Sequence, residues 1–269
     1  MTFFQAIFLA IVQGVTEFLP ISSSGHLVLF QKLFRLTEPP VLFDVLLHLG
    51  TLMAILVFFR KELCLLVKEW KSRKNQWMFL IIGSIPAAFF GFLLNHKIVA
   101  IFDSLKLVSV MWVGFGILLL ATKVLKVKEE TRNSEKVVWK DAFVVGLFQA
   151  LALFPGVSRS GSTIIGGLWR KFSKETAFYF SFLLSIPTIL GAVFLKLADG
   201  SVEGTNLWTG VIAMLIAGLV GYFSLKFLEK ILKSDKLYLF GFYCLILGIV
   251  VFLKDGCLQI VNSSRISIY

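Results

Sequence analysis

The chain has 269 residues, 57% of them hydrophobic and only 16% charged, and Phe alone accounts for 28. An ordinary soluble domain carries roughly 25% charged residues, so this composition excludes disorder, a collagen-like repeat and a small disulfide scaffold, and leaves little room for a water-soluble enzyme. The net charge of +11 does not point to nucleic acid: the Lys and Arg residues stand in short clusters between long apolar runs, the pattern of cytoplasmic loops in a membrane protein.

The chain opens on MTFFQAIF, with no basic n-region and no small-residue cleavage site, so this segment is expected to stay in the mature protein. Residues 3–34 are apolar but interrupted at Pro20-Ile-Ser-Ser-Ser-Gly-His26. After that break only Leu27 to Phe34 remain, about 12 Å of helix, too short to span a bilayer. Six runs come close to a full span, at 41–59, 76–94, 107–125, 176–195, 207–225 and 237–253. A second interrupted stretch, 141–169, lies between the third and fourth of them and breaks at Pro155-Gly-Val-Ser-Arg-Ser-Gly-Ser-Thr163. Cys64, Cys244 and Cys257 have no metal-ligand spacing.

The two breaks resemble each other. With Gln13 set on Gln149, Phe18 meets Phe154, Ser22 meets Ser158, Ser24 meets Ser160 and Gly25 meets Gly161. The following segment matches at nearly the same offset, Phe43 with Phe180 and Thr51 with Thr188. An internal duplication is expected, 1–135 and 136–269 forming two repeats within one structural domain. Each repeat holds a broken hairpin and three spans. Three is odd, so the second repeat is inverted, an architecture familiar from transporters. Loop charges favour hairpins that enter and leave on one side: that topology puts 19 Lys and Arg on one face and 7 on the other, whereas spanning breaks would give 15 and 11. The expected fold is therefore an all-α polytopic membrane protein with six transmembrane helices and two re-entrant hairpins. Irregular backbone at that depth needs a protein or wet surround, so the two breaks should face each other across a cavity.

Two ionisable residues lie inside these stretches, Glu17 in the first and Arg159 in the second. Such groups are functional candidates by default; the plainer alternative is an ion pair that locks the hairpins together. Gln13 and Glu17 stand at i and i+4 and share a helix face. Ser22, Ser23, Ser24, Gly25 and His26 follow, with serine suited to cap a short helix whose free N–H groups attract anions. The second break supplies Ser158, Arg159, Ser160, Ser162 and Thr163, with Gly156 and Gly161 permitting close backbone approach. The guanidinium fork suits phosphate oxygens. Together these residues describe a phosphate site buried in a membrane. Asp44 and His48, also i and i+4, could bind a metal, but read more simply as a helix-start Asp and a hydrogen-bonded core His. His96 reads as a loop residue.

At both breaks the sequence resembles the undecaprenyl-diphosphate phosphatases, the bacitracin-resistance family. The first family motif reads here Gln13-Gly-Val-Thr-Glu17-Phe-Leu-Pro-Ile-Ser22-Ser23-Ser24-Gly25-His26, and the second Pro155-Gly-Val-Ser158-Arg159-Ser160-Gly161-Ser-Thr163. The segments Phe43-Asp44 to Thr51 and Ile82 to Ala87 are also similar to family segments. The resemblance implies a multi-pass enzyme of the bacterial inner membrane that cleaves a polyprenyl diphosphate lipid, undecaprenyl diphosphate, to undecaprenyl phosphate and inorganic phosphate. It recycles the carrier for peptidoglycan synthesis. A divalent cation, Mg²⁺ or Ca²⁺, is implied too, with Glu17 as its ligand; Gln13 replaces the second carboxylate found in other members. Glu17, Ser23, His26 and Arg159 are the catalytic candidates. Ser23 is expected to attack, with His26 taking its proton and Glu17 orienting His26 or binding the metal. Attack by another serine, or by His26 itself, stays open. Gln13, Ser22, Ser24, Gly25, Ser158, Ser160, Gly161 and Thr163 would line the phosphate. The inverted repeat alone would also suit a polyprenyl-phosphate or anion transporter. With the basic face in the cytoplasm, both termini are expected outside.

Overall fold

The computed structural model describes residues 1–36, 41–123, 136–198 and 206–266. Among these the regular structure is helical throughout. The first half comprises α1 (Phe3–Thr16), α2 (Ser23–Leu33), α3 (Val41–Phe58), α4 (Arg60–Lys68), α5 (Lys74–Asp103) and α6 (Leu105–Ala121). The second comprises α7 (Trp139–Leu151), α8 (Arg159–Trp169), α9 (Lys174–Ala198), α10 (Leu207–Lys233) and α11 (Leu239–Ile266).

Among the described residues three stretches, Lys74–Leu94, Lys174–Leu195 and Leu207–Lys233, are long and apolar enough to cross a bilayer. A fourth crossing is possible if α3 and α4 count as one span bent by 73°. The bend falls where the apolar run meets Arg60, Lys61 and Glu62. The apolar helices Phe3–Thr16, Leu105–Ala121 and Leu239–Lys254 are shorter. Helix α5 runs on to Asp103, so residue 96 is helical rather than in a loop. Large apolar side chains face outward all round, with Phe92 91%, Phe4 83% and Trp208 79% exposed. Water would not tolerate so much apolar surface on a monomer, whereas lipid does. This is a multi-pass membrane protein.

Both broken stretches fold as helical hairpins. In the first, Phe8 near the start of α1 meets Phe30 and Phe34 at the end of α2, with ring centroids 4.9 and 5.4 Å apart. The chain therefore turns back on itself. In the second, Arg170 at the end of α8 is paired with Asp141 at the start of α7 at 2.7 Å. Helix α1 packs on α10, and α7 on α5. Small residues set these approaches: a Cβ on Gly14 would come 2.7 Å from the Ala217 carbonyl, and Gly146 lies against the Gly83 backbone. Helices α6 and α11 cross at Gly116 and Gly241, each against the other's carbonyl. The main apolar core surrounds the hairpin tips and includes Phe18, Trp112, Phe115 and Phe182.

Candidate active site

Helix α1 ends at Glu17, whose N–H still donates to the Gln13 carbonyl at 2.9 Å. Pro20 then stops the helix and the chain turns sharply through Phe18–Ile21. A turn this deep leaves carbonyls that no water can reach, and the rest of the molecule satisfies them. Ser160 Oγ donates to the Phe18 carbonyl at 2.8 Å, Ser158 Oγ to that of Leu19 at 3.4 Å, and Trp112 Nε1 to that of Ile21 at 2.9 Å. The expected meeting of the two breaks is therefore present as hydrogen bonds.

Ser22 and Ser158 cap α2 and α8 in the same way, each side chain accepting from the N–H of the glycine three residues on. Ser22 sits at φ +69°, a region that costs a non-glycine residue roughly 1–3 kcal/mol. Its Oγ offsets this by also accepting the Gly156 N–H from the other hairpin at 3.0 Å. Gly156 itself has φ +100°, and a Cβ there would strike the Val108 carbonyl.

The first residues of the two helices, Ser23 and Arg159, converge on Glu17. Ser23 Oγ donates to Glu17 Oε2 at 2.6 Å, and Arg159 Nη2 to Oε1 at 2.8 Å. Gln13 Nε2 adds a third donor, to Oε2 at 3.1 Å. The Glu17 and Arg159 side chains are 8% and 14% exposed. Arg159 Nη1 is buried without a hydrogen-bond partner. A cavity of about 460 Å³ opens beside them, and Glu17, Ser22, Ser23, Ser24, Ser158 and Arg159 all line it, as do Asp44 and His48. A serine hydroxyl held on a carboxylate, a guanidinium with a spare donor and two helix N-termini thus share one pocket, an arrangement that suits the binding and cleavage of a phosphoryl group.

The remaining expected residues lie elsewhere. His26 does not reach Ser23. Its Nδ1 bonds the Ser22 carbonyl at 2.7 Å and its Nε2 the Tyr243 hydroxyl at 2.8 Å, and it faces a separate, largely apolar groove of about 600 Å³. Three residues along a helix turn through about 300°, which leaves the two positions only about 60° apart; the ring's own direction decides, and Trp112, edge-on, and Tyr243, stacked, hold it on the other side. Thr163 Oγ1 donates to its own helix and bonds Ser181, and Ser160 is wholly buried. Gly25 and Gly161 are contact points for Trp112 and for Phe115 and Pro20. These residues, with Gln13, stand behind the cavity wall. Sequence reasoning passed over Trp112, Tyr243 and the Asp141–Arg170 pair; a Trp inside an apolar run and a buried-run Asp were the available signals. It also set aside Asp44 and His48, which the fold brings to the pocket.

The fold and site together define a membrane-embedded phosphoryl-transfer protein. The family model described as "Bacitracin resistance protein BacA" matches residues 6–250. The chain is 40% identical over 259 residues to "Undecaprenyl-diphosphatase 4" of Bacillus thuringiensis subsp. konkukian, covering 93% of this chain and 96% of that one. It is 41% identical over 256 residues to "Undecaprenyl-diphosphatase" of Carboxydothermus hydrogenoformans, covering 93% and 97%. With "Undecaprenyl-diphosphatase" of Thermosipho africanus it shares 42% over 250 residues, covering 91% and 98%. The chain belongs to the bacitracin resistance protein BacA family.

Proposed function

We propose that the Glu17–Ser23–Arg159 pocket hydrolyses undecaprenyl diphosphate to undecaprenyl phosphate and inorganic phosphate. The activity recycles the lipid carrier of cell-wall synthesis and underlies bacitracin resistance. The observation that carries the site assignment is the 2.6 Å contact from Ser23 Oγ to Glu17 Oε2, made beside the buried, unpartnered Arg159 Nη1. A carrier of anions would need the arginine but not a serine held on a carboxylate.

In this scheme Glu17 takes the Ser23 proton as Oγ attacks the terminal phosphorus. The bond to the bridging oxygen breaks, and undecaprenyl phosphate departs as an anion that needs no proton. Arg159 Nη1 and the free N–H groups at the starts of α2 and α8 receive the equatorial oxygens, where charge accumulates. Ser24 and Ser158 reach the pocket from either side. His26 is a positioning residue: its ring ties the Ser22 carbonyl to Tyr243 and so holds the strained cap from which Ser23 projects.

The divalent cation implied by the family resemblance does not fit Glu17 as it is held here. Three hydrogen-bond donors point at its two oxygens. Among the described residues, no group of three His, Cys, Asp or Glu side chains is placed to share an ion.

We further infer six spans and two re-entrant hairpins in inverted repeats, with both termini outside. Matching caps at Ser22 and Ser158, and the equivalent pairings of α1 with α10 and α7 with α5, support this. So does a charged cavity that gathers Glu62, Arg73, Lys174 and Lys233, from three of the basic loops, at one end. The assignment is tested by phosphate release from a polyprenyl diphosphate in detergent. Ser23→Ala should lose at least about 1,000-fold in kcat, and Ser24→Ala far less. Equal losses would overturn the choice of nucleophile.

A further inference from the structure

His48 has no part in the scheme above, yet it lines the same cavity as Glu17, Ser23 and Arg159. It lies on α3, one turn after Asp44, and is half-buried. Its Nδ1 is 2.8 Å from the Asp44 backbone carbonyl. A carbonyl only accepts, so the ring proton sits on Nδ1 and the lone pair on Nε2. No hydrogen bond engages Nε2 among the described residues. His26, by contrast, has both nitrogens engaged and faces the other groove.

We infer that His48 is the general base for the second half of the reaction, in which water releases phosphate from Ser23; this rests on Ser23 being the residue phosphorylated in the first half. The proton balance calls for such a group. Once Ser23 has been phosphorylated, Glu17 carries the serine proton and has no room for another. Water then adds to phosphorus while its proton passes to His48 Nε2. The P–Oγ bond breaks, and Oγ takes its proton back from Glu17. The imidazolium returns the water proton to the departing phosphate, and both side chains end in their starting states. One water enters, one inorganic phosphate leaves, and no further reactant is needed. Asp44 fixes the ring through its carbonyl, and its carboxylate is itself held by Gln31 of α2 at 3.4 Å, which ties the base to the hairpin that carries the nucleophile.

The test uses the full-length protein in detergent with a polyprenyl diphosphate radiolabelled in its terminal phosphate. In His48→Gln, the first turnover should release polyprenyl phosphate within about threefold of the wild-type rate, while steady-state phosphate release falls about 100-fold or more. The label should stay on the protein at Ser23. In His48→Ala, added imidazole should restore steady-state release, which also shows that the variant is folded. Wild-type turnover by His48→Gln with no retained label would overturn the inference. So would loss of its first turnover along with the steady state. Ser23→Ala separates the two layers: a turning-over Ser23→Ala protein removes the underlying scheme, whereas a dead one beside a fully active His48→Gln protein removes only the role of His48.

Discussion

Replacing Glu17 by Gln keeps the shape of the side chain and removes its charge, and the surroundings give that change three separable consequences. The first is kinetic. Ser23 would face an amide that cannot take its proton, and no other carboxylate contacts its hydroxyl among the described residues. Loss of a positioned general base typically costs 10²–10⁴-fold, so kcat should fall by at least about 100-fold. The second is energetic. Arg159 is 14% exposed and Glu17 is its ion-pair partner at 2.8 Å. Removing one member of a buried pair costs about 3–5 kcal/mol, and for a chain of this size each kcal/mol shifts Tm by roughly 2–4 °C. The ligand-free variant should therefore melt about 6–20 °C below wild type. The third distinguishes this account from a merely structural pair. Phosphate would supply the missing counter-charge, so millimolar inorganic phosphate should restore much of the lost Tm in Glu17→Gln and do far less in wild type. Thermal unfolding in detergent with and without phosphate, together with initial rates, measures all three. A variant with near-normal kcat would refute the base, and a Tm deficit indifferent to phosphate would refute Arg159 as the anion donor.

Arg159→Lys should insert and fold, because an ammonium can still pair with Glu17, but lose about 100-fold or more in kcat/KM since it has no second arm for the phosphate; near-normal phosphate release would remove the clamp. Gln13→Glu should fold and place a second carboxylate one turn from Glu17, where the amide now donates at 3.1 Å; removing that donor and adding a ligand should give the variant a divalent-cation affinity, read by calorimetry, about tenfold or more above that of wild type, and equal binding by the two proteins would count against that pairing. For orientation, Thr2→Cys and Ser72→Cys in a Cys-free background should behave oppositely in intact cells, the first labelled by an impermeant thiol reagent and the second protected. Reversed labelling would overturn the topology.

Much of this arrangement was legible because hydrocarbon forces it. The apolar runs, the two Pro-marked breaks and the isolated Glu17 and Arg159 are signals that composition and spacing carry by themselves. The Ser22 and Ser158 caps were legible too, since a serine after a break and before a short helix has one obvious use. The direction of side chains within the site was not. Ser23 and His26 look like neighbours along the chain, but which of them meets the carboxylate depends on how the N-terminal turn of α2 rolls, and Trp112 and Tyr243, 86 and 217 residues away from His26 in sequence, decide that. Ser158, Ser160 and Thr163 carry the same hydroxyl chemistry as Ser23, yet their hydroxyls all bond backbone carbonyls. Nothing local distinguishes a hydroxyl that satisfies a buried turn from one that faces a substrate. Asp44 and His48 illustrate the converse: an i, i+4 pair at a helix start looks ordinary until the hairpin tip is packed beside it.

The near-symmetry of the two hairpins makes their chemical difference easier to read. At the offset that matches the breaks, Ser23 corresponds to Arg159, each the first residue of its short helix behind a serine cap. Glu17 corresponds to Leu153, and Gln13 to Gln149. The consequence is visible in the glutamines. Gln13 donates its amide to the carboxylate four residues on, whereas Gln149, with Leu153 in that place, is buried with neither amide atom hydrogen-bonded. Two hairpins with matching caps thus bring Ser23 and Arg159 face to face with Glu17 touching both, and in the proposed scheme the two positions act unequally, Ser23 as nucleophile and Arg159 as the phosphate-binding cation. That inequality matches what a diphosphate requires. Its terminal phosphorus must be attacked from one side while its oxygens are held from the other, and two identical tips would provide either two nucleophiles without a clamp or two clamps without a nucleophile.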